Sequence, residues 1–290
     1  ILLVTSLAIL VWGADKFVDN SSLIAKKFGL SELTIGLTII ALGTSAPEIF
    51  VGISSVFNGT EALAMGTVIG SNISNIALIF GVSCIGVSMR PAKTNLVQFI
   101  PFAIAAIILG LVLLDLKITV IEGWVLLIIF ALFIFITYKY RGSELDDQIE
   151  ESATGTITIL LYLTVGLLAL IGGSNFAVIH AEKIAYILNV PQLIIGLTII
   201  ALGTSLPELA ATISAIMKNK NDMVIGNVIG SNVMNIALVL PIIGFFSNTS
   251  FDSTLLSRDY FVMFIATILF VLLAATYSSN KINLKFIRFV

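Results

Sequence analysis

Fourteen residues, IGLTIIALGTSAPE at 35–48, recur as IGLTIIALGTSLPE at 195–208 with a single difference, and VIGSNISNIALI at 68–79 recurs as VIGSNVMNIALV at 228–239. Both matches stand at an offset of 160 residues, so the stretch between the two blocks keeps its length as well. That marks a duplicated structural unit, not two borrowed motifs. The material of the unit follows from its apolar runs. A helix needs roughly 20 mainly apolar residues to cross the hydrocarbon of a bilayer, and such runs fall near 1–26, 31–57, 61–88, 96–114 and 118–139, then near 156–188, 191–217, 222–246 and 258–278. A tenth run starts at Lys281 and stops after ten residues; the chain also begins at Ile1 without a Met, so both ends are expected to belong to a longer protein. Apolar residues make up 58% of the chain and charged ones 11%, against roughly 25% charged in soluble proteins. One aqueous core cannot hide that much apolar surface, so the solvent is lipid.

The expected fold is therefore an all-α polytopic membrane protein of ten transmembrane helices, the last one truncated. Residues 1–140 form a first five-helix repeat, 141–155 a short acidic linker and 156–290 the second repeat. Five spans is an odd number, so the second copy enters the membrane from the opposite side, and the copies are related by a pseudo-two-fold axis in the membrane plane. Nine basic residues (Lys26, Lys27, Arg90, Lys93, Lys139, Arg141, Lys218, Lys220 and Lys281) fall on one side and three (Lys117, Lys183 and Arg258) on the other. The positive-inside rule then puts the N-terminus outside and the linker, with its five acidic residues from Glu144 to Glu151, in the cytoplasm as a solvated loop.

Several chemistries drop out on residue counts alone. Cys84 is the sole cysteine and His180 the sole histidine, so an intramolecular disulfide, a Cys/His metal site and a Ser-His hydrolase are excluded, and no cofactor is expected. His180 reads as a packing residue. The net charge of −2 comes without a basic patch, so nucleic acid is no partner and the expected partners are inorganic cations and the lipid bilayer.

The repeated blocks carry polar residues to hydrocarbon depth. Glu48 and Glu208 sit well inside the second and seventh spans, where a carboxylate is costly, and the spans offer almost no basic side chain to pair with. Pro47 removes the i+4 donor of the Gly43 carbonyl, and Ala46 before it is disfavoured in helical conformation, so the helix is expected to break there. Carbonyls freed around Ala41 to Gly43 need a partner inside the protein. Thr44 and Glu48 share a helix face with Ser45 adjacent; Thr204, Ser205 and Glu208, with carbonyls near Ala201 and Gly203, repeat the set. Ser71 and Asn75 are four apart, as are Ser231 and Asn235, with Asn72 and Asn232 one position beyond the serines. All these donors are hard oxygens, the ligand set of Na⁺, Ca²⁺ or Mg²⁺ and not of zinc, copper or iron. Two carboxylates match one Ca²⁺ or several Na⁺.

At these residues the chain resembles the calcium/cation antiporter superfamily, most closely its prokaryotic sodium/calcium exchanger branch: GTSAPE and GSNISN, then GTSLPE and GSNVMN, look like that family's two alpha-repeats. The resemblance implies exchange of Na⁺ for Ca²⁺ by alternating access at a midplane site, in a monomer of the prokaryotic inner membrane. Spans two, three, seven and eight surround the ions, and the long first and sixth spans slide past them. By motif position it carries the ligands onto Thr44, Ser45, Glu48, Ser71, Asn75, Thr204, Ser205, Glu208, Ser231 and Asn235, with backbone carbonyls at Ala41 and Ala201. Some relatives have aspartate where Asn235 stands. With two carboxylates, three bound Na⁺ would leave the site at +1 against zero for Ca²⁺, making exchange electrogenic. A proton/calcium or other divalent antiporter is the first rival, a cation channel the second and an intramembrane hydrolase the third; the last lacks a nearby base.

Overall fold

The computed structural model describes residues 1–84, 96–141, 155–190, 203–247 and 249–278. The described residues contain ten helical pieces. They are α1 (Leu2–Phe28), α2 (Glu32–Thr44), α3 (Ala46–Phe57), α4 (Glu61–Cys84), α5 (Val97–Asp115), α6 (Val120–Lys139), α7 (Thr156–Ile187), α8 (Leu206–Met217), α9 (Asn221–Phe246) and α10 (Phe261–Ser278), the last entered through a π-turn at Leu255–Tyr260. Local chemistry sets several of the ends. Gly29, at φ 62° and ψ 35°, takes the left-handed conformation that closes α1, and the Ser31 side chain accepts the Thr34 amide to open α2. Thr119 and Glu122 form a reciprocal capping box at the start of α6.

Six of these helices are long and apolar enough to cross a membrane, or seven if the bent pair α2 and α3 counts as one span. The nine full runs of the sequence reading are not all recovered by that measure, for two physical reasons. Helix α1 has the length but carries Asp15, Lys16 and Asp19 in its second half, and the stretch 191–202 that precedes α8 lies outside the described residues. The linker residues 142–154 and the tenth run at 281–290 also lie outside them, and the ninth helical stretch starts earlier than residue 258, at the π-turn.

Contacts segregate the helix ends into two sets. The Ser31 amide donates to the Arg141 carbonyl at 3.1 Å, Gln98 Nε2 to the Tyr140 carbonyl at 3.1 Å, and Lys27 Nζ to Thr156 Oγ1. The α1–α2 turn, the start of α5, the end of α6 and the start of α7 therefore share one end. At the other, the Phe251 amide donates to the Leu116 carbonyl at 2.7 Å, and the ring of Phe57 lies 5.5 Å from that of Phe246.

The helices are not equally covered. Within its most apolar window α9 is 83% buried, against 22% for α7 and 17% for the segment 255–273, so α9 is the central helix and α7 and α10 present broad apolar faces outward. Helix α2 packs against α9 with backbones nearly touching: a Cβ added at Gly230 would stand 2.5 Å from the Leu37 carbonyl, and one at Gly226 2.5 Å from that of Leu33. The pairing rises in the same direction along both chains, so these two helices are parallel. Helices α1 and α7 cross equally closely but antiparallel. Gly13 faces Leu170, and Gly173 faces Leu10; added Cβ atoms would meet backbone nitrogens at 2.4 and 2.5 Å. Small residues at such crossings let helix backbones approach in lipid, where no hydrophobic force drives helices together.

Candidate functional site

The two repeated GTS-x-PE segments break alike. Ser45 leaves helical geometry at φ −82° and ψ 2°, Ser205 at φ −91° and ψ 7°, and each is followed by a helix whose second residue is the proline. Between α2 and α3 the axis bends by 48°. The break therefore falls one residue earlier than the expected Ala46. The proline ring clashes with the carbonyl four residues back, Gly43, and a bend at Ser45 lies between the two and relieves it, while a proline in the first turn costs no hydrogen bond. The bend places Glu48 and Glu208 in the first turns of α3 and α8, where the partial positive charge of a helix N-terminus favours a carboxylate.

Both carboxylates are inside the protein, Glu48 at 2% and Glu208 at 1% exposure, and they lie close enough to repel each other. Ser45 Oγ donates to Glu208 Oε1 at 3.0 Å, joining the two broken segments directly. Both oxygens of Glu48, Oε2 of Glu208 and Oγ of Ser205 are buried with no hydrogen-bond partner among the described residues. Ser71 stands beside Glu48 without closing a hydrogen bond to it. Thr204 is half-buried at its break. The expected free carbonyl at Ala41 is engaged: it accepts the Ser45 amide at 3.0 Å and the Thr44 hydroxyl at 3.5 Å. A helix broken at Ser45 keeps its last regular bond to Ala41, so a cation reaching that oxygen must displace the long Thr44 contact from its second lone pair. The Gly203 carbonyl accepts Ser174 Oγ of α7 at 3.1 Å. Ala201 lies outside the described residues.

The second pair of motifs is built around asparagine. Helix α4 passes from α- to π-geometry at Asn75, and α9 does so at Asn235; such bulges recur at functional sites because they re-aim side chains and carbonyls. Asn75 Nδ2 donates to Asn232 Oδ1 at 3.2 Å, and Asn235 Nδ2 donates to Asn72 Oδ1 at 3.5 Å. Shifting one bond by 160 positions in each direction gives the other. In both, the amide nitrogen is used across the helix pair, and Oδ1 of Asn75 and of Asn235 stays buried without a partner among the described residues. Asn72 and Asn232, adjacent to the motif serines in the sequence, thus orient the two carboxamides.

One residue of the cluster was missed from the sequence because it lies outside the repeated blocks: Asn227, whose Oδ1 accepts Thr44 Oγ1 at 3.2 Å and Ser231 Oγ at 3.4 Å. A signal existed. Asn227, Ser231 and Asn235 are spaced by four and form a polar stripe on a helix that is otherwise almost all apolar.

Thr44, Ser45, Glu48, Ser71, Asn75, Ser205, Glu208, Ser231 and Asn235 are thus all buried, on α2 to α4, α8 and α9. Two carboxylates with several neutral oxygens, buried and unpartnered among the described residues, make a donor set suited to a desolvated hard cation. Residues 1–139 and 158–287 match the sodium/calcium exchanger protein family. The chain belongs to that family. It is accordingly an integral membrane protein of a cation-antiporter family, not of an enzyme family. Among its relatives, CaxA of Alkalimonas amylolytica is 37% identical over 283 residues, covering 94% of this chain and 89% of that protein. The sodium/calcium exchanger MaX1 of Methanosarcina acetivorans is 31% identical over 291 residues, covering 85% and 82%. Among solved structures, the sodium-calcium exchanger NCX_Mj superposes with a TM-score of 0.82 at 32% identity, covering 94% of this exchanger-family chain and 89% of its own.

Proposed function

We propose that this antiporter exchanges Na⁺ for Ca²⁺ by alternating access at a midplane site. The ligands are side chains of Thr44, Ser45, Glu48, Ser71, Asn75, Thr204, Ser205, Glu208, Ser231 and Asn235, with carbonyls of Ala41 and Ala201. The observation that carries the reading is the meeting of Glu48 and Glu208, each at the start of a broken half-helix, with three of their four oxygens buried and unpartnered among the described residues. A Ca²⁺ ion neutralises the pair, and several Na⁺ ions do so over neighbouring subsites; an ion-free, doubly charged pair is costly to carry across hydrocarbon. Exchange in place of leak follows from that cost. Three Na⁺ against one Ca²⁺ would move net charge.

The surrounding architecture in this reading has ten spans in two inverted repeats, 1–140 and 156–290, joined by the acidic linker 141–155. The matched bonds Asn75–Asn232 and Asn235–Asn72 support the inverted relation, as does the antiparallel crossing of α1 and α7 through the equivalent glycines Gly13 and Gly173. Lys26, Lys27, Lys139, Arg141, Lys218 and Lys220 favour a cytoplasmic end at the α1–α2 turn and the linker, which leaves the N-terminus outside, in the inner membrane of a prokaryotic cell. The protein works as a monomer, since both halves of the site come from one chain. Uptake of radioactive calcium into liposomes under an imposed sodium gradient, compared with a proton gradient, tests the counter-ion: uptake driven by sodium alone is the expected result, and uptake driven by protons alone would overturn it.

A further inference from the structure

Asn227 lies on α9 one turn before Ser231, at 2% exposure, and among the described residues its side chain hydrogen-bonds to three hydroxyl groups. Its Oδ1 is the acceptor for Thr44 Oγ1 at 3.2 Å and Ser231 Oγ at 3.4 Å, while its Nδ2 donates to Thr212 Oγ1 of α8 at 3.3 Å. Thr212 is buried as deeply, at 1%. Three helices, α2, α8 and α9, therefore meet on one carboxamide.

The chemistry of a hydroxyl ligand makes this arrangement consequential. A Ser or Thr hydroxyl has one proton and two lone pairs. It serves a cation only when a lone pair faces the ion and the proton is held elsewhere. A carboxamide oxygen with two lone pairs can hold two such protons, and the Thr212 contact fixes which end of the amide faces them. Thr44 has two further acceptors, the Ile40 carbonyl at 3.0 Å and the Ala41 carbonyl at 3.5 Å, whereas the Ser231 hydroxyl has no other hydrogen bond among the described residues. The device exists once. The equivalent of Asn227 in the first half is Thr67, and the equivalent of Thr212 is Gly52, where an added Cβ would stand 2.2 Å from Val239 Cγ1 and leave no room for a threonine.

We propose that Asn227 is a positioning residue for ion binding: its carboxamide, oriented by Thr212, holds the hydroxyl protons of Thr44 and Ser231 away from the ion and so turns their lone pairs toward it. This rests on the reading of Thr44 and Ser231 as ligands. The test is sodium-driven uptake of Ca²⁺ by the full chain in liposomes. Asn227→Leu keeps the size and removes the acceptor; Asn227→Asp keeps the acceptor, with Thr212 becoming the donor. Asn227→Leu is expected to raise the KM for Ca²⁺ about tenfold with the maximal rate within about threefold of wild type, and Asn227→Asp to return KM to within about threefold. Thr212→Val, a smaller change that avoids any misfolding of the leucine variant, is expected to raise KM about threefold. Wild-type KM in Asn227→Leu or in Thr212→Val, or equal impairment in the leucine and aspartate variants, would overturn the role. Ser231→Ala and Glu48→Gln run alongside: if both keep wild-type uptake, the site itself is misread; if both are impaired while Asn227→Leu is not, only the positioning role fails.

Discussion

Ser45 Oγ donates to Glu208 Oε1 at 3.0 Å across 163 residues of sequence. A hydroxyl from one broken segment thereby fixes the carboxylate of the other. Hydrogen bonds to charged groups contribute about 1.5–3 kcal/mol, enough to set the rotamer of a buried carboxylate.

This bond predicts coupling. Ser45→Ala and Glu208→Gln each weaken Ca²⁺ affinity, and the double variant loses less than the sum, with an interaction of about 1 kcal/mol or more. A double-mutant cycle on the KM for calcium uptake checks it. Strict additivity would mean that the contact carries no weight in ion binding.

The crossed asparagine pairs predict equal partners. Asn72→Leu removes the acceptor that holds Asn235, and Asn232→Leu the one that holds Asn75; each substitution lets a carboxamide turn its nitrogen toward the cation. Each is expected to raise the KM for Ca²⁺ by about tenfold, and the two values to lie within about threefold of each other. A silent substitution at either position, with impairment at the other, would show that the two bonds do not do the same task.

Lys218, at the end of α8, bridges to Asp15 at 2.5 Å and Asp19 at 2.6 Å on α1. The equivalents in the other half are Asn58, Asn175 and Ile179, so α1 is latched to α8 by an ion pair that the equivalent α7 and α3 positions have no charges to form. The three side chains are 21%, 45% and 43% exposed, which limits the contribution to stability to about 1 kcal/mol or less. Lys218→Ala is expected to change the ratio of Ca²⁺ KM values measured from the two faces of the membrane while leaving the unfolding temperature nearly unchanged; an unaltered ratio would deny the latch any part in access.

Gly13 and Gly173 predict a steric limit. Alanine at either forces a Cβ to within 2.4 or 2.5 Å of backbone nitrogen on the facing helix, so α1 and α7 must separate, at a cost of about 1–3 kcal/mol. Slower exchange and a lower melting temperature are expected for both. Gly29→Ala is a useful contrast: nothing lies within 4 Å and only its left-handed φ of 62° is strained, so the effect should stay near 1 kcal/mol.

What the sequence made legible, and what it hid, divides along physical lines. The 160-residue offset, the apolar runs and the GTS-x-PE breaks are local or periodic features, and all could be read without coordinates. The position of the bend at Ser45 in place of Ala46 needed the balance of a proline clash against a disfavoured conformation. The engaged state of the Ala41 carbonyl needed the actual hydrogen-bond ladder. Asn227 escaped because symmetry was the guide and Asn227 breaks it. Asp15 and Asp19 hold Lys218, a partner about 200 residues away that spacing cannot reveal.

The central claim is that Glu48 and Glu208 together hold the transported cation. Sodium-driven uptake of radioactive calcium into liposomes by wild type, Glu48→Gln and Glu208→Gln tests it most directly. The account predicts that each single substitution, by removing half of the site's charge, lowers uptake at least about a hundredfold at limiting calcium while the folded protein still reconstitutes. Full exchange retained in both variants would contradict it.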